Sequence, residues 1–375
     1  MIGSMADLLA RARDRAELMR ERLRLLVDTE SPSNDPDALA ACADVLGEMI
    51  RSATGRAPEL IASDGVPHLF WRGGEEPKVL LLGHYDTVWP KGTAIERPFA
   101  IDASGRATGP GVLDMKAGLV QMITALEILD DTSGVLLLCT GDEEVGSASS
   151  RPLIEQAARQ ANAVLVGEAS GTAGAVKIAR RGTARYEVNV HGRAAHAGEE
   201  PEFGINAAVE MAHQILAITE IAGTDADTTV TPTMTASGTT GNTVPESAWI
   251  NVDVRAWTAE EMDRVDREIR ALTPRLPGAR LSVDGGRNRH PLESELAQPL
   301  ADVVAAAAAD LGIPAPGTVR WRSASDANIT AEAGVPTLCG CGAVGEHPHA
   351  REEYVDIATL GDRTALLAAT IDRLT

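Results

Sequence analysis

Short unbroken apolar runs alternate with stretches of helical periodicity through the first half of the chain. Val79-Leu80-Leu81-Leu82, Val135-Leu136-Leu137-Leu138 and Ala163-Val164-Leu165-Val166 have the length and continuity of strands buried on both faces. Around them the spacing predicts helices over 6–28, 37–52, 116–130 and 150–160, with Ser31-Pro32-Ser33-Asn34-Asp35-Pro36 breaking the first from the second. Val66-Pro67-His68-Leu69-Phe70-Trp71 reads as a further strand, and His68 in it as structural. This order predicts a mainly parallel sheet covered on both faces.

After about residue 175 the rhythm changes. Residues 185–191 alternate as a half-exposed strand, followed by a helix over 204–220, strands at 231–236 and 248–255, a helix over 259–272 and a strand at 279–283. That order is β-α-β-β-α-β, the ferredoxin-like split motif. Elements at 295–311, 319–322, 325–328, 335–339 and 356–374 then resume the first pattern. The expected fold class is α/β, with a first domain from 1–175 and 288–375 and an inserted α+β domain from 176–287.

Composition narrows the field. A chain of 375 residues accommodates two domains, and its 44% apolar content is ordinary for a globular protein. No run is long enough to span a membrane. A net charge of −20 argues against nucleic acid and anionic membrane surfaces as partners. It leaves acidic substrates open, because local arginines act inside the screening length. Cys42, Cys139, Cys339 and Cys341 form no metal-type pair and read as reduced thiols of a cytoplasmic protein; a Cys339–Cys341 redox pair is the lesser alternative. No signal peptide is evident, and Met1-Ile2-Gly3-Ser4 resembles a cloning remnant before Met5.

The chemistry lies at the strand ends. The 79–82 run ends in Gly83-His84-Tyr85-Asp86, and side chains two apart on an extended segment share a face, so Asp86 could fix the tautomer of His84. Gly109-Pro110-Gly111-Val112-Leu113-Asp114 brings another carboxylate from a glycine-rich turn. The next strand ends in Asp142-Glu143-Glu144, and the one after it in Gly167-Glu168. Alone, each could be a helix cap or a solvated end. Together they crowd acids that a cation would neutralise, at the carboxyl ends of strands where α/β sheets bind ligands. Nitrogen and oxygen donors without thiolate suit Zn²⁺ or a similar ion in an open site.

The stretches GHYDTVWPKGT, GPGVLDMKAG, TGDEEVGS and LVGEAS resemble, in order, motifs of the co-catalytic dizinc exopeptidases and deacylases. That family includes bacterial glutamate carboxypeptidase, acetylornithine deacetylase, succinyl-diaminopimelate desuccinylase and aminoacylase. The likeness is greatest to the glutamate carboxypeptidase branch and runs over nearly the whole chain. It implies a zinc-peptidase catalytic domain with the insert as lid and dimerisation domain, hence a homodimer. It implies two Zn²⁺ per chain, with Co²⁺ or Mn²⁺ as alternatives: one ion on His84 and Glu168, the other on Glu144 and His349, Asp114 bridging. Glu143 would be the general base, and the peptide after Asp114 cis. His349 takes the family position four residues before Glu353-Tyr354, with His347 as competitor. Glu168-Ala169 departs from the usual Glu-Pro.

In the insert, His196 resembles the lid histidine that stabilises the oxyanion from the neighbouring subunit. Arg289 matches the arginine that holds a substrate α-carboxylate, a bidentate task suited to guanidinium. Asn242 resembles a lid residue at the same end of the substrate. Arg255 reads equally as a substrate contact or a strand-end ion pair, and His191 and His213 as structural. The implied activity is hydrolysis of an amide or peptide bond beside a free carboxylate, C-terminal glutamate leading. The alternative is an N-acyl amino acid deacylase on the same site. A dimeric binding protein without chemistry would have lost Glu143 or a ligand, and none is missing.

Overall fold

The computed structural model describes residues 5–223 and 227–375. Met1–Ser4, read above as a cloning remnant, lie outside them. The chain divides into two compact units. One comprises the chain through Ala179, with Glu293–Trp321 and Ser325–Thr375; the other is Arg180–Leu292 with Arg322–Ala324.

The first unit holds a six-stranded sheet in the order Glu59–Ser63, Val66–Arg72, Val135–Thr140, Val79–His84, Ala163–Val166, Thr337–Leu338. The last four run parallel, and the first two form an antiparallel edge. All side chains of the three apolar runs are buried, as a sheet covered on both faces requires. Leu82 pairs with both Leu138 and Val166, so three strands end level with one another.

The helix expected over 6–28 is two helices, Met5–Asp14 and Ala16–Asp28, broken at Arg15 where ψ is 1°. Pro36–Thr54 starts on Asp35, whose side chain accepts the N–H of Ala38, and ends on Gly55 in the left-handed region. The Lys116 ammonium is buried and donates to the carbonyls of Leu26 and Thr29 at 2.7 and 3.0 Å. It thereby ties the glycine-rich turn to the end of Ala16–Asp28. The strand Glu59–Ser63 and a small sheet of Gly345–Glu346, Tyr354–Asp356, Arg106–Thr108 and Ala100–Ile101 have no clear apolar pattern.

The second unit is a four-stranded antiparallel sheet in the order Thr229–Ser237, Ser247–Ala256, Gly182–His191, Arg280–Arg289. Helices Ala207–Ile221 and Ala259–Arg270 pack against it through Ile218, Val265 and Ile269, which meet Tyr186, Val188, Ile250, Val252 and Val254. This is the β-α-β-β-α-β order read from the sequence. The last strand runs to Arg289 rather than stopping near 283, so Arg287 and Arg289 are strand residues. Gly285 and Gly286 inside it had masked the continuation. No helix among the described residues is long and apolar enough to cross a membrane.

Candidate metal centre and active site

Two strand ends and one turn bring His84, Asp114 and Glu144 together, and Glu168 follows the end of a third strand. His84 closes Val79–His84 opposite Thr140, and the chain after Thr140 turns through Glu143–Val145. Glu168 lies two residues past Val166, as His84 lies two past its partner Leu82, and is 8% exposed. Asp114 comes from the turn Val112–Lys116, entered through Gly111 at φ 67°. A Cβ there would lie 2.4 Å from Thr87 Cγ2, so only glycine fits. The peptide between Asp114 and Met115 is cis.

Asp114 sits between two imidazoles. Its Oδ1 lies 3.2 Å from His84 Nε2, and its Oδ2 3.2 Å from His349 Nε2. His349 Nε2 is also 3.2 Å from Glu144 Oε1. The ligand atoms of His84, Asp114 and Glu144 all lie within 4.8 Å of one another. His347, by contrast, stands 3.8 Å from Glu346 and tilts against the Tyr354 ring.

Asp86 differs in detail from the expectation. Its backbone carbonyl, 3.1 Å from His84 Nδ1, is closer than its carboxylate at 3.4 Å. The carboxylate instead accepts the backbone N–H groups of Glu143 and Glu144, both at 3.1 Å, and the Ser33 hydroxyl at 2.7 Å. Fully buried, Asp86 thus fixes the imidazole and the Glu143-Glu144 turn together.

The charges are strongly coupled. Hydrogen bonds to Asp114 and then Glu144 push His349 up to about 10. Burial pulls His84 down, but its bonds to Asp114 and Asp86 raise it well above 6.5. Burial opposes ionisation of Asp114, and the two histidines override it, holding the carboxyl below its usual range. Burial raises Glu144 against the pull of His349. Two imidazolium protons are therefore the counter-charge to converging carboxylates, and a divalent cation can take the place of such protons. The donor set fits a metal of the zinc type.

Two supporting residues escaped the sequence reading. Glu353, there only a landmark, is fully buried and accepts from the N–H groups of Gly111, Leu113 and Asp114 and from Trp89 Nε1. Ser33, read as part of a helix breaker, holds Asp86. Its position four residues after His349 was the available signal for the first.

The remaining candidates lie in the second unit. His196 is exposed, and its Nδ1 accepts the N–H groups of Gly198 and Glu199 at 3.2 and 3.1 Å. Its neutral ring therefore carries the proton on Nε2. The His196 and Asn242 loops are neighbours, joined by Ala197 N–H to the Asn242 carbonyl at 2.9 Å. Arg255 donates to both carboxylate oxygens of Asp253 at 2.8 and 3.0 Å, the ion-pair alternative. Arg289 is 5% exposed at the end of its strand.

Residues 80–373 match the model of peptidase family M20/M25/M40. The chain belongs to this family. It is 30% identical to carboxypeptidase G2 of Pseudomonas sp. (strain RS-16) over 377 aligned residues, covering 96% of this chain and 90% of that protein. It is also 30% identical to succinyl-diaminopimelate desuccinylase of Paracoccus denitrificans, covering 65% of this chain and 69% of that one. The structure of aminopeptidase PepT from Bacillus cereus superposes with a TM-score of 0.75 at 21% identity, covering 95% of this chain and 98% of the other. This M20 chain is accordingly an enzyme, a hydrolase of the metallopeptidase kind, and its α/β fold with a mixed sheet is the family's.

Proposed function

We propose that this enzyme is a dizinc-dependent hydrolase of an amide or peptide bond adjacent to a free carboxylate, like a glutamate carboxypeptidase. The observation that supports it best is Asp114, with one carboxylate oxygen 3.2 Å from each of His84 and His349. One ion would be held by His84 and Glu168, the other by Glu144 and His349, with Asp114 shared. Zn²⁺ leads, and Co²⁺ or Mn²⁺ would suit the same donors. Bound there, the ions would polarise the substrate carbonyl and acidify the attacking water.

The chain's own residues do the rest. Glu143 takes the proton of the attacking water and returns it to the leaving amine nitrogen. Its backbone is tethered by Asp86, which also keeps the His84 proton on Nδ1 and leaves Nε2 as the ligand atom. Arg289 holds the free carboxylate with Arg255 at its edge, and Asn242, in the loop joined to that of His196, reaches the same end of the substrate from the partner subunit. His196, from the partner subunit of a homodimer, donates Nε2–H to the charge that develops on the carbonyl oxygen. Four buried free cysteines support a reducing, cytoplasmic setting.

The test is amine release from dipeptides and N-acyl amino acids with C-terminal glutamate, before and after chelation and Zn²⁺ return. Chelator-resistant turnover, or none on any carboxylate-bearing amide, rejects the proposal. The desuccinylase relative favours a second reading, deacylation of an N-acyl amino acid. Preference for N-succinyl or N-acetyl substrates over peptides would select it.

A further inference from the structure

Behind the Glu143-Glu144 turn lies a second polar system that the reaction does not touch. His68, on Val66–Arg72, has none of its surface exposed. Its Nδ1 accepts the N–H of Gly141 at 3.3 Å, so the neutral ring carries its proton on Nε2. Nε2 lies 3.1 Å from the Ser149 hydroxyl and donates to it. That hydroxyl in turn donates to Asp142 Oδ2 at 2.8 Å. Every proton in the chain Gly141, His68, Ser149, Asp142 thus has one direction. The order also excludes a hydrolytic triad, because the carboxylate takes the serine proton and the imidazole never could.

The two ends of this relay bracket the site turn. Gly141 and Asp142 immediately precede Glu143. Asp142 also accepts the N–H groups of Ser149 and Ser150 at 2.8 and 3.3 Å, folding the segment 142–150 back on itself. There is little slack at Gly141: a Cβ there would lie 2.7 Å from Tyr85 Oη and 2.9 Å from the Pro67 carbonyl. Tyr85 Oη itself donates to that carbonyl. Asp86 holds the turn at the N–H groups of Glu143 and Glu144, and His68 holds it at Gly141, from the antiparallel strand Val66–Arg72. Burial pulls the His68 imidazole below 6.5, which keeps it neutral and the relay in one sense.

We propose that His68 is a positioning residue for Glu143 and Glu144, acting through Gly141 on one side and through Ser149 and Asp142 on the other. The inference rests on the hydrolase reading, in which Glu143 moves the proton and Glu144 holds a metal. An apolar ring at 68 would keep the volume but strand the Gly141 N–H and release the Ser149 hydroxyl. The turn could then shift, and the base and the ligand with it.

The experiment compares wild type, His68→Phe, Ser149→Ala, the double variant of these two, His68→Gln, and His68→Gln with Ser149→Ala, each Co²⁺-loaded and assayed per folded, metal-loaded chain. Gln can mimic Nε2–H toward Ser149. His68→Phe should lose about 10–100-fold in kcat, the range for residues that orient metal ligands, with KM nearly unchanged. The double variant should be no worse than His68→Phe, because one relay is broken once. His68→Gln should recover part of the loss, but not in the Ser149→Ala background. The visible Co²⁺ spectrum should shift in His68→Phe. A folded His68→Phe enzyme with wild-type kcat and spectrum overturns the inference, as do losses that multiply in the double variant. A wild type that hydrolyses nothing is a failure of the hydrolase reading instead, and the Co²⁺ spectra then decide this inference alone.

Discussion

Glu353 accepts the backbone N–H of Asp114 at 3.1 Å across 239 residues of chain. The same carboxylate accepts from Gly111 at 3.1 Å, Leu113 at 2.9 Å and Trp89 Nε1 at 3.1 Å. The glycine-rich turn therefore closes only when the last motif of the chain folds onto it. Four donors favour the charged carboxylate, yet burial outweighs them and Glu353 is pushed up to about 6.

Glu353→Gln should be costly. An amide offers one acceptor oxygen, and its NH₂ would face donors. Stranding a buried N–H costs about 1–3 kcal/mol, and metal affinity should fall about 10–100-fold as Asp114 loosens. Urea unfolding of the chelated protein measures the first, and Zn²⁺ competition with a chelating dye the second. Wild-type values for both would mean the turn is held by its own backbone.

Glu143 and Glu144 should separate by function. Glu143→Gln should lose about 10²–10⁴-fold in kcat, the usual contribution of a general base, while still binding two ions per chain. Glu144→Gln should lose metal first, because Glu144 is the member within reach of His349. Metal analysis alongside kinetics decides the matter. Two ions in Glu144→Gln and one in Glu143→Gln would exchange the roles.

The histidines predict opposite pH slopes for chelated and metal-loaded protein. In the chelated protein His349 rises from 6.5 to about 10. A raised pKa contributes stability that is complete below pH 6.5 and is lost as pH climbs through about 10. His84 is raised and acts in the same direction, while Asp114, lowered, stays ionised throughout this window. Chelated protein should therefore weaken from pH 6.5 toward 10. Zn²⁺ affinity should strengthen over the same range, since each ligand must shed its proton. His349→Gln should flatten both trends. Urea midpoints across the window check this, and a flat profile for the chelated protein would contradict the Asp114–His349 pair.

How much of this the sequence carried depends on distance along the chain. The buried strands were legible because both faces are covered, and their apolar runs are continuous. His84, Asp114 and Glu144, whose ligand atoms converge, stood out in the sequence because each follows such a run or a glycine turn. The split of the first helix at Arg15 was not, since apolar spacing continues across it. Nor were the duties of Glu353, Ser33 and His68. Each acts by accepting from or donating to groups far away in sequence, and no local periodicity records such a partner. Asp86 was half legible: its closeness to His84 follows from spacing, but its grip on Glu143 and Glu144 comes from the parallel pairing of two strands.

The last prediction concerns His196 and a second copy of the chain. The His196 loop lies beside the Asn242 loop, and with Nδ1 occupied by two backbone N–H groups the imidazole keeps Nε2–H free to donate. The same unit presents an outer sheet edge. Thr229–Ser237 is an outer strand with Met234 60% exposed, and Leu216 on the adjacent helix is 65% exposed. Such an edge either pairs or must be protected. A C₂ dimer built there would let His196 of one chain serve the Glu143 of the other. His196→Ala and Glu143→Gln homodimers should each be nearly inactive. After equal mixing and complete exchange, half of the dimers are mixed, and each contains one site with Glu143 in its own chain and His196 from its partner. About one quarter of wild-type activity should then return. Differently tagged chains and co-purification establish the exchange. If mixed dimers form and activity stays at the parental level, His196 does not act across the dimer.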